Sequence, residues 1–330
     1  MLTYSEAFYR LKDKLQPLYD ADESVAIAHV FLEFITGFGK MDRLSKKDTL
    51  FTERQQGLFD GKSKELIKGK PVQYVTNSAW FMDREFLVNE GVLIPRPETE
   101  ELVQWVVEDS RKSIVVSRKS QVESLGSKAA PHSLAMASAG TQKPKSKILD
   151  IGSGSGCIGI SLARLLPDAF ITCVDISQEA LDVLQTNVDW ALTAEEKSKL
   201  AAHIRPVRLD FLNAAIRNKD LGRYDVIVSN PPYIARGEQK KMHPNVKHFE
   251  PDIALFVPDN DPLVFYRAIA LFGKEHLRQD GYIYCELDAG RAEACKLLFE
   301  GAGYKNVELR RDMHGNWRML RAGTVDRLIG

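Results

Sequence analysis

The chain has 330 residues, of which 44% are hydrophobic and 27% are charged, a composition typical of globular domains. Basic and acidic residues number 45 each, so no overall charge draws the molecule to nucleic acid. No apolar run reaches the roughly 18 residues that a membrane helix needs. The four cysteines and seven histidines show no metal-ligand spacing, and we predict neither a disulfide nor a metal site.

Residues 1–70 carry only helical patterns. Apolar side chains recur at helical spacing over 4–18, 25–35 and about 52–67. These segments predict a small helical domain. It either recognises a substrate protein or gives plain structural support.

Residues 71–95 change character and predict a β-hairpin linker, with short strands at 72–75, 80–81, 85–88 and 92–94. The prolines at 95 and 97 then stiffen the approach to a helix that runs to about Glu108. Residues 110–147 are basic and lack periodicity, with Glu123 their one acid, so we predict a disordered insertion within a domain spanning 96–330.

From Ile148 onward strand and helix patterns alternate, which predicts βαβ units and a mostly parallel sheet. The predicted strands are 147–151, 170–176, 204–209, 225–229 and 282–286. The predicted helices are 157–166, 178–190, 262–277 and 291–302. A closing hairpin is expected over 307–311 and 317–320.

A glycine-rich turn follows the first of these strands and precedes a helix. Glycines let the main chain bend tightly and approach a ligand, and the free N–H groups of the helix then face that ligand. Gly154, Gly156 and Gly159 satisfy the dinucleotide fingerprint, but that match alone is weak. The pattern that starts at Asp150 fits S-adenosyl-L-methionine (AdoMet)-dependent methyltransferases better. The predicted cofactor-binding residues of the turn are Gly152, Ser153, Gly154, Ser155 and Gly156.

Acidic and aromatic residues end the next two strands. Asp175 is placed to accept both hydroxyls of a ribose, although it could instead cap the following helix. Asp210 and Phe211 would meet the edge and face of an adenine, although the pair could equally end a strand and pack inward.

The segment Asn230-Pro231-Pro232-Tyr233 ends a buried apolar strand. Proline fixes φ and lacks an N–H, so the strand stops and its last polar groups are held rigidly, unless the segment is only a strand-ending turn. The Asn230 side-chain oxygen and the Pro231 carbonyl can accept the two N–H groups of a planar amide or amino nitrogen and aim it at a methyl donor. The ring of Tyr233 can pack against the planar group, and no dedicated base is required.

The sequence resembles the HemK/PrmC protein-(glutamine-N5) methyltransferases, which modify the glutamine of the GGQ motif in peptide-chain release factors. The resemblance spans roughly residues 70–322. It rests on the glycine turn, on Ser229 to Ile234, and on further motifs at 71–74, 93–100, 249–251, 254–255, 265–267, 312, 315 and 318.

The resemblance implies a Rossmann-like class I AdoMet-dependent methyltransferase fold, a mostly parallel seven-stranded sheet with a helical N-terminal domain joined by a hairpin. It implies that Asn230 contacts AdoMet as well, and that Asn230, Pro231, Pro232 and Tyr233 bind the glutamine. The implied partner is a GGQ-bearing release factor in translation termination. We expect a monomer without stable nucleic-acid or membrane binding. The basic insertion hints at a mitochondrial enzyme, whereas the missing transit signal favours the cytoplasm.

Two other functions stay open at this point. An adenine-N6 methyltransferase shares the Asn-Pro-Pro-Tyr segment and would extrude a base from DNA or RNA into the same pocket. A nicotinamide-binding oxidoreductase or a silent nucleotide-binding module would use the glycine turn but leave Asn230 unexplained.

Overall fold

The computed structural model describes residues 1–126, 146–215 and 221–324. Five helices come first, α1 (Tyr4–Leu15), α2 (Ala21–Thr36), α3 (Lys40–Ser45), α4 (Glu53–Ile67) and α5 (Val72–Thr76). Thr3 and Thr52 open α1 and α4 with capping boxes, because each hydroxyl accepts a main-chain N–H of the first turn. These helices bury a hydrophobic core of their own, which a separate helical domain requires.

A short antiparallel hairpin follows, β1 (Ser78–Phe81) and β2 (Arg84–Leu87), in which Ser78 pairs with Leu87. The predicted linker is therefore a hairpin only in its middle. The segment 72–75, predicted as a strand, forms α5, and 92–94 is not a strand. Asn77 ends α5 in the left-handed region at φ 56°, which lets the chain turn from helix into hairpin.

The helix α6 (Pro97–Gly126) is longer than the sequence predicted. It continues past Glu108 to Gly126 and so includes residues 110–126, where the sequence predicted a disordered insertion. The rest of the predicted insertion, 127–145, lies outside the described residues.

The strands β3 (Lys147–Ile151), β4 (Phe170–Asp175), β5 (Ile204–Arg208), β6 (Tyr224–Ser229), β9 (Leu277–Glu286), β10 (Lys305–Arg311) and β11 (Trp317–Gly323) form one sheet. Their order is β10-β11-β9-β6-β3-β4-β5, and β11 alone among these seven strands runs opposite to the other six. Two residues each in β7 (Ile234–Ala235) and β8 (Phe256–Val257) form a separate parallel pair.

Helices cover both faces of the sheet. On one face lie α6, α7 (Cys157–Leu165), α8 (Gln178–Trp190) and α9 (Ala194–Leu200), and on the other lie α12 (Val264–His276) and α13 (Ala292–Gly301). Two short helices, α10 (Pro244–Phe249) and α11 (Asp252–Leu255), lie in the connection between β7 and β8. Successive side chains of β6 enter opposite cores, Val226 and Val228 on the face of α6 to α8 and Ile227 on the face of α12 and α13. Burial on both sides explains the unbroken apolar run of the sequence.

Candidate active site

A cavity of about 540 Å³ lies at the carboxyl ends of β3 to β6. The strand order reverses at β3, because β4 and β5 lie to one side of it and the next strand in sequence, β6, lies to the other. Open α/β sheets bind their ligands at the strand ends beside such a reversal. Residues following four strands form one wall of the cavity. Residues 91–93 and parts of 252–265 contribute to the rest.

The structure brings most of the predicted site residues to this cavity. Those that line it are Gly152, Gly154, Asp175, Asp210, Phe211, Asn230 and Pro232. Those that do not are Ser153, Ser155, Gly156, Pro231 and Tyr233.

The glycines of the turn serve two different purposes. Gly152 and Gly154 have φ of 70° and 51°, and a Cβ on Gly154 would have no atom within 4 Å, so the main chain there borders open space. Gly156 has φ 81°, but a Cβ there would lie 2.7 Å from Cγ of Leu184. The first two glycines therefore leave room for a ligand, and the third allows Leu184 of α8 to pack closely against the turn.

Asp175 ties the glycine turn to the start of α8. Its two carboxylate oxygens each accept a main-chain N–H at 2.9 Å, one from Gly154 and one from Ser177. Burial raises the pKa of Asp175, and these N–H groups oppose the rise. A carboxylate oxygen has two lone pairs, so these bonds leave capacity for ligand hydroxyls.

Asp210 and Phe211 differ in exposure. Asp210 is exposed and accepts the N–H of Leu212 at 3.0 Å. Phe211 is 5% exposed and meets Phe272 edge-on, with ring centroids 5.4 Å apart. Phe211 thus packs inward and also borders the cavity, so the two alternatives from the sequence are compatible.

The side-chain amide of Asn230 is held from behind. Its Nδ2 donates to Oγ1 of Thr99 at 3.2 Å, and the Thr99 hydroxyl donates to Oε2 of Glu286 at 2.5 Å. Among the residues the structure describes, no protein group donates to Oδ1 of Asn230 or to the Pro231 carbonyl. Both acceptors at the end of β6 are therefore without a donor in the described part of the chain; Asn230 lines the cavity, whereas Pro231, the next residue, is buried.

Tyr233 also contacts Glu286. Its hydroxyl donates to Oε1 of Glu286 over a long 3.5 Å, and its ring packs against the core on the α12 side. Burial raises the pKa of Tyr233, so the phenol stays protonated. The predicted wall for a planar substrate group stays a prediction.

A segment that we call the roof, residues 250–258, contributes to the lining of the cavity through Asp252, Ile253, Ala254, Phe256 and Pro258. Glu250 anchors one end, because its buried carboxylate accepts from Arg96 at 2.5 Å. The pairing of β7 with β8 anchors the other end, with Ile234 opposite Phe256. The roof is therefore fixed both to the entrance of α6 and to the chain just beyond Tyr233.

Sequence reasoning assigned no role to Glu286 or Glu250, and it did not foresee that Thr99 contacts Asn230. One signal for Glu286 was present, an acid placed directly after the apolar run 282–285. Its partner Thr99 lies 187 residues away, and no spacing rule connects them.

The strand order, the single antiparallel strand and the cavity at the crossover define a class I methyltransferase. A model of the methyltransferase small domain matches residues 131–248. Among solved structures, the human methyltransferase 10 domain containing protein superposes with a TM-score of 0.45 at 17% identity, over 74% of this chain and 90% of that one.

Two bacterial proteins named release factor glutamine methyltransferase resemble this chain along nearly its whole length. The protein of Flavobacterium psychrophilum is 34% identical over 309 residues, which cover 93% of this chain and 94% of that protein. The protein of Bacteroides thetaiotaomicron is 34% identical over 313 residues, 94% and 97% of the two chains. The chain belongs to the release factor glutamine methyltransferase family.

Proposed function

We propose that this protein transfers a methyl group from AdoMet to the side-chain amide nitrogen of the glutamine in the GGQ motif of a peptide-chain release factor. The observation that carries the proposal is the pair of acceptors at the end of β6, Asn230 Oδ1 and the Pro231 carbonyl. The family relationship supports the same reaction, since relatives that cover nearly the whole chain carry this name.

The chemistry explains why two acceptors are needed. The lone pair of an amide nitrogen is delocalised into its carbonyl, so the nitrogen is a poor nucleophile. Two fixed acceptors on its N–H groups aim the nitrogen and stabilise the positive charge that develops as the new bond forms. The prolines at 231 and 232 keep the acceptors from relaxing. The proton leaves after transfer, so no side chain has to act as a base.

The residues at the cavity fit AdoMet. The open main chain at Gly152 and Gly154, the carboxylate of Asp175 and the ring of Phe211 suit a compact tail, a ribose and an adenine in turn. The buried hydroxyl of Ser153 has no partner among the described residues, but Ser153 does not line the cavity. When bound, AdoMet supplies an electrophilic methyl group on a sulfonium, and S-adenosyl-L-homocysteine is the product.

The substrate is proposed to be a protein, and the helical N-terminal domain to contact it. That domain exposes apolar side chains, including Tyr9 at 56% and Val30 at 47%. The adenine-N6 alternative has no support from the relatives, which are named for a protein substrate. The monomeric state and the absence of nucleic-acid binding stay predictions.

The compartment is a separate proposal. Within the described residues, no helix combines the length and the apolarity needed to cross a membrane. The two relatives are bacterial, so they give no support to a mitochondrial location. We keep the cytoplasmic alternative.

The test incubates the protein and AdoMet with a GGQ-bearing release factor, with the same factor carrying asparagine in place of that glutamine, and with DNA or RNA. We expect a mass gain of one methyl group on the first substrate alone. Asn230→Ala should lower kcat by about 10²- to 10³-fold, the scale for losing one preorganised polar group. Gln185→Ala, which removes an exposed amide on α8, should not change it. Methyl incorporation into nucleic acid only would refute the proposal.

A further inference from the structure

Three side chains from distant parts of the sequence form one hydrogen-bonded chain behind the acceptor pair. Asn230 follows β6, Thr99 lies in the first turn of α6, and Glu286 ends β9. The links measure 3.2 Å from Asn230 to Thr99 and 2.5 Å from Thr99 to Glu286. Thr99 and Glu286 are each 2% exposed, so water does not compete for these bonds.

The chemistry of the three groups fixes the direction in which their hydrogen bonds are donated. An ionised carboxylate only accepts hydrogen bonds, so Thr99 must give its single hydroxyl proton to Glu286. The hydroxyl oxygen of Thr99 is then an acceptor towards Asn230. Asn230 must therefore turn its NH2 group towards Thr99, and its oxygen is left for the cavity side.

The opposite direction would disable the site. If Glu286 carried a proton and donated it to Thr99, the Thr99 hydroxyl could donate to Asn230 Oδ1. The flipped amide would then present N–H groups to the N–H groups of a substrate amide. Two donors facing each other cannot bond, and the nitrogen would lose one of its two acceptors.

We infer that Thr99 and Glu286 are positioning residues for the methyl transfer, which act through Asn230 by fixing which end of its side-chain amide faces the substrate. This inference rests on the proposed function for its kinetic consequences. The geometry of the three side chains does not depend on it.

The surroundings of Glu286 bear on its protonation. The hydroxyl of Tyr233 donates to Oε1 of Glu286 at 3.5 Å, and the hydroxyl of Tyr266 donates to the main-chain carbonyl of Glu286 at 3.0 Å. The charged groups whose fields act on the carboxylate are Arg96, Glu98 and Arg318, the last of which is paired with Asp312. Burial raises the pKa of Glu286 to about 7, while Thr99 and Arg318 oppose the rise.

The first experiment compares Thr99→Val, Thr99→Ser and a matched control, Thr76→Val. Thr76 is a buried threonine that donates to the Val72 carbonyl, away from the cavity. We expect Thr99→Val to lower kcat by at least about tenfold, the scale of one hydrogen bond to a polar partner. The Kd for AdoMet should stay within about twofold, Thr99→Ser should recover most of kcat, and Thr76→Val should leave kcat unchanged. Equal kcat for Thr99→Val and the wild type would overturn the inference.

The second experiment follows kcat against pH. A raised pKa means that Glu286 gains a proton as the pH falls through about 7, which allows the reversed direction. We expect the kcat of the wild type to rise with pH and to level off above this value. Glu286→Gln cannot ionise, and its kcat should lack this inflection. The same inflection in Glu286→Gln would assign it to another group and contradict the role of Glu286.

The third readout needs no substrate. The side-chain NH2 resonances of Asn230, identified by their loss in Asn230→Asp, should shift in Thr99→Val and titrate with Glu286 in the wild type. Resonances that respond to neither change would refute the positioning role even where methyl transfer proceeds. Resonances that respond as expected in a protein that methylates no release factor would uphold the positioning and refute the proposed function instead.

Discussion

The guanidinium of Arg96 lies 2.5 Å from the carboxylate of Glu250, across 154 residues of sequence. The Glu250 side chain is 1% exposed and that of Arg96 is 33% exposed. Ile94 adds a main-chain N–H to the other oxygen of Glu250, at 3.4 Å. The pair joins the entrance of α6 to the roof of the cavity.

This asymmetry in exposure predicts unequal effects of removing the two partners. Arg96→Met leaves a buried carboxylate without its cation and should lower the free energy of unfolding by about 1–3 kcal/mol at neutral pH. Glu250→Gln leaves a cation that water can reach and should cost less. Urea denaturation of both variants measures the difference.

The same pair should show a pH dependence. Burial raises the pKa of Glu250 and Arg96 opposes the rise, so the pKa should rise further in Arg96→Met. A raised carboxyl pKa gives stability that is present at low pH and lost as the pH rises through the folded-state value. The gap between Arg96→Met and the wild type should therefore narrow as the pH is lowered. A gap that is constant with pH would mean that packing, and not charge, accounts for the loss.

The two purposes of the glycine turn can be separated by one substitution at each of two positions. Gly154→Ala adds a methyl group that points into open space, so AdoMet affinity should fall, while stability should fall only by the strain of alanine at φ 51°, about 1–2 kcal/mol. Gly156→Ala drives a methyl group against Leu184 and should cost about 1–3 kcal/mol of stability through overpacking. Calorimetric binding and thermal denaturation of both variants test this. Equal losses of Tm would contradict the assignment.

Asp175 should matter to the cofactor and to the turn together. Asp175→Ala removes the acceptor of the Gly154 and Ser177 N–H groups and should weaken AdoMet binding by about 1–3 kcal/mol. Asp175→Asn keeps one acceptor oxygen and should lose less. An unchanged Kd for Asp175→Ala would show that the carboxylate serves only the start of α8.

Asp150 should make stability depend on pH. It is fully buried, its Oδ2 accepts the Gly159 N–H at 3.0 Å, and its Oδ1 has no partner within the described part of the chain. Burial raises the pKa of Asp150 to about 7. Its contribution to stability is therefore full below the ordinary pKa of an aspartate and is lost as the pH rises through about 7.

Asp150→Asn should remove this contribution to the pH dependence of the free energy of unfolding. Urea denaturation at a series of pH values should show the variant losing less stability than the wild type between about pH 4 and pH 8. Asp168→Asn, at an exposed aspartate, is the matched control and should follow the wild type. Parallel curves for Asp150→Asn and the wild type would contradict a buried carboxyl that titrates near neutrality.

Much of the sheet could be predicted because its signals are local. The bounds of β3 and α8 agree with prediction, and β4 and β5 end one residue early, since apolar runs and turn residues mark them. The segment 72–75 looked like a strand from its β-branched residues, yet it packs as α5 in the N-terminal core. The two-residue strands β7 and β8 could not be predicted, because their pairing depends on tertiary contact and not on any pattern.

The features of the candidate site also fall into two groups, those set by local sequence and those set by contacts between distant residues. The Asn230 segment and the glycine turn could be predicted because each motif performs its task within a few residues. Glu286, Glu250 and the contact made by Thr99 escaped prediction, since each acts on a partner more than 130 residues away in sequence. Their contacts arise because the fold brings residues that are distant in sequence together at one edge of the sheet.

The short β7–β8 ladder connects the lining of the cavity to the backbone that follows Tyr233. Both ends of the roof are anchored, and the ladder involves only two residues from each strand. Because Ile234 directly follows Tyr233, a displacement of residues 256–257 is transmitted to the end of the Asn230 segment. The two halves of the cavity, the lining at 252–258 and the strand end at 230–233, are thus joined by backbone hydrogen bonds and not only by side-chain packing.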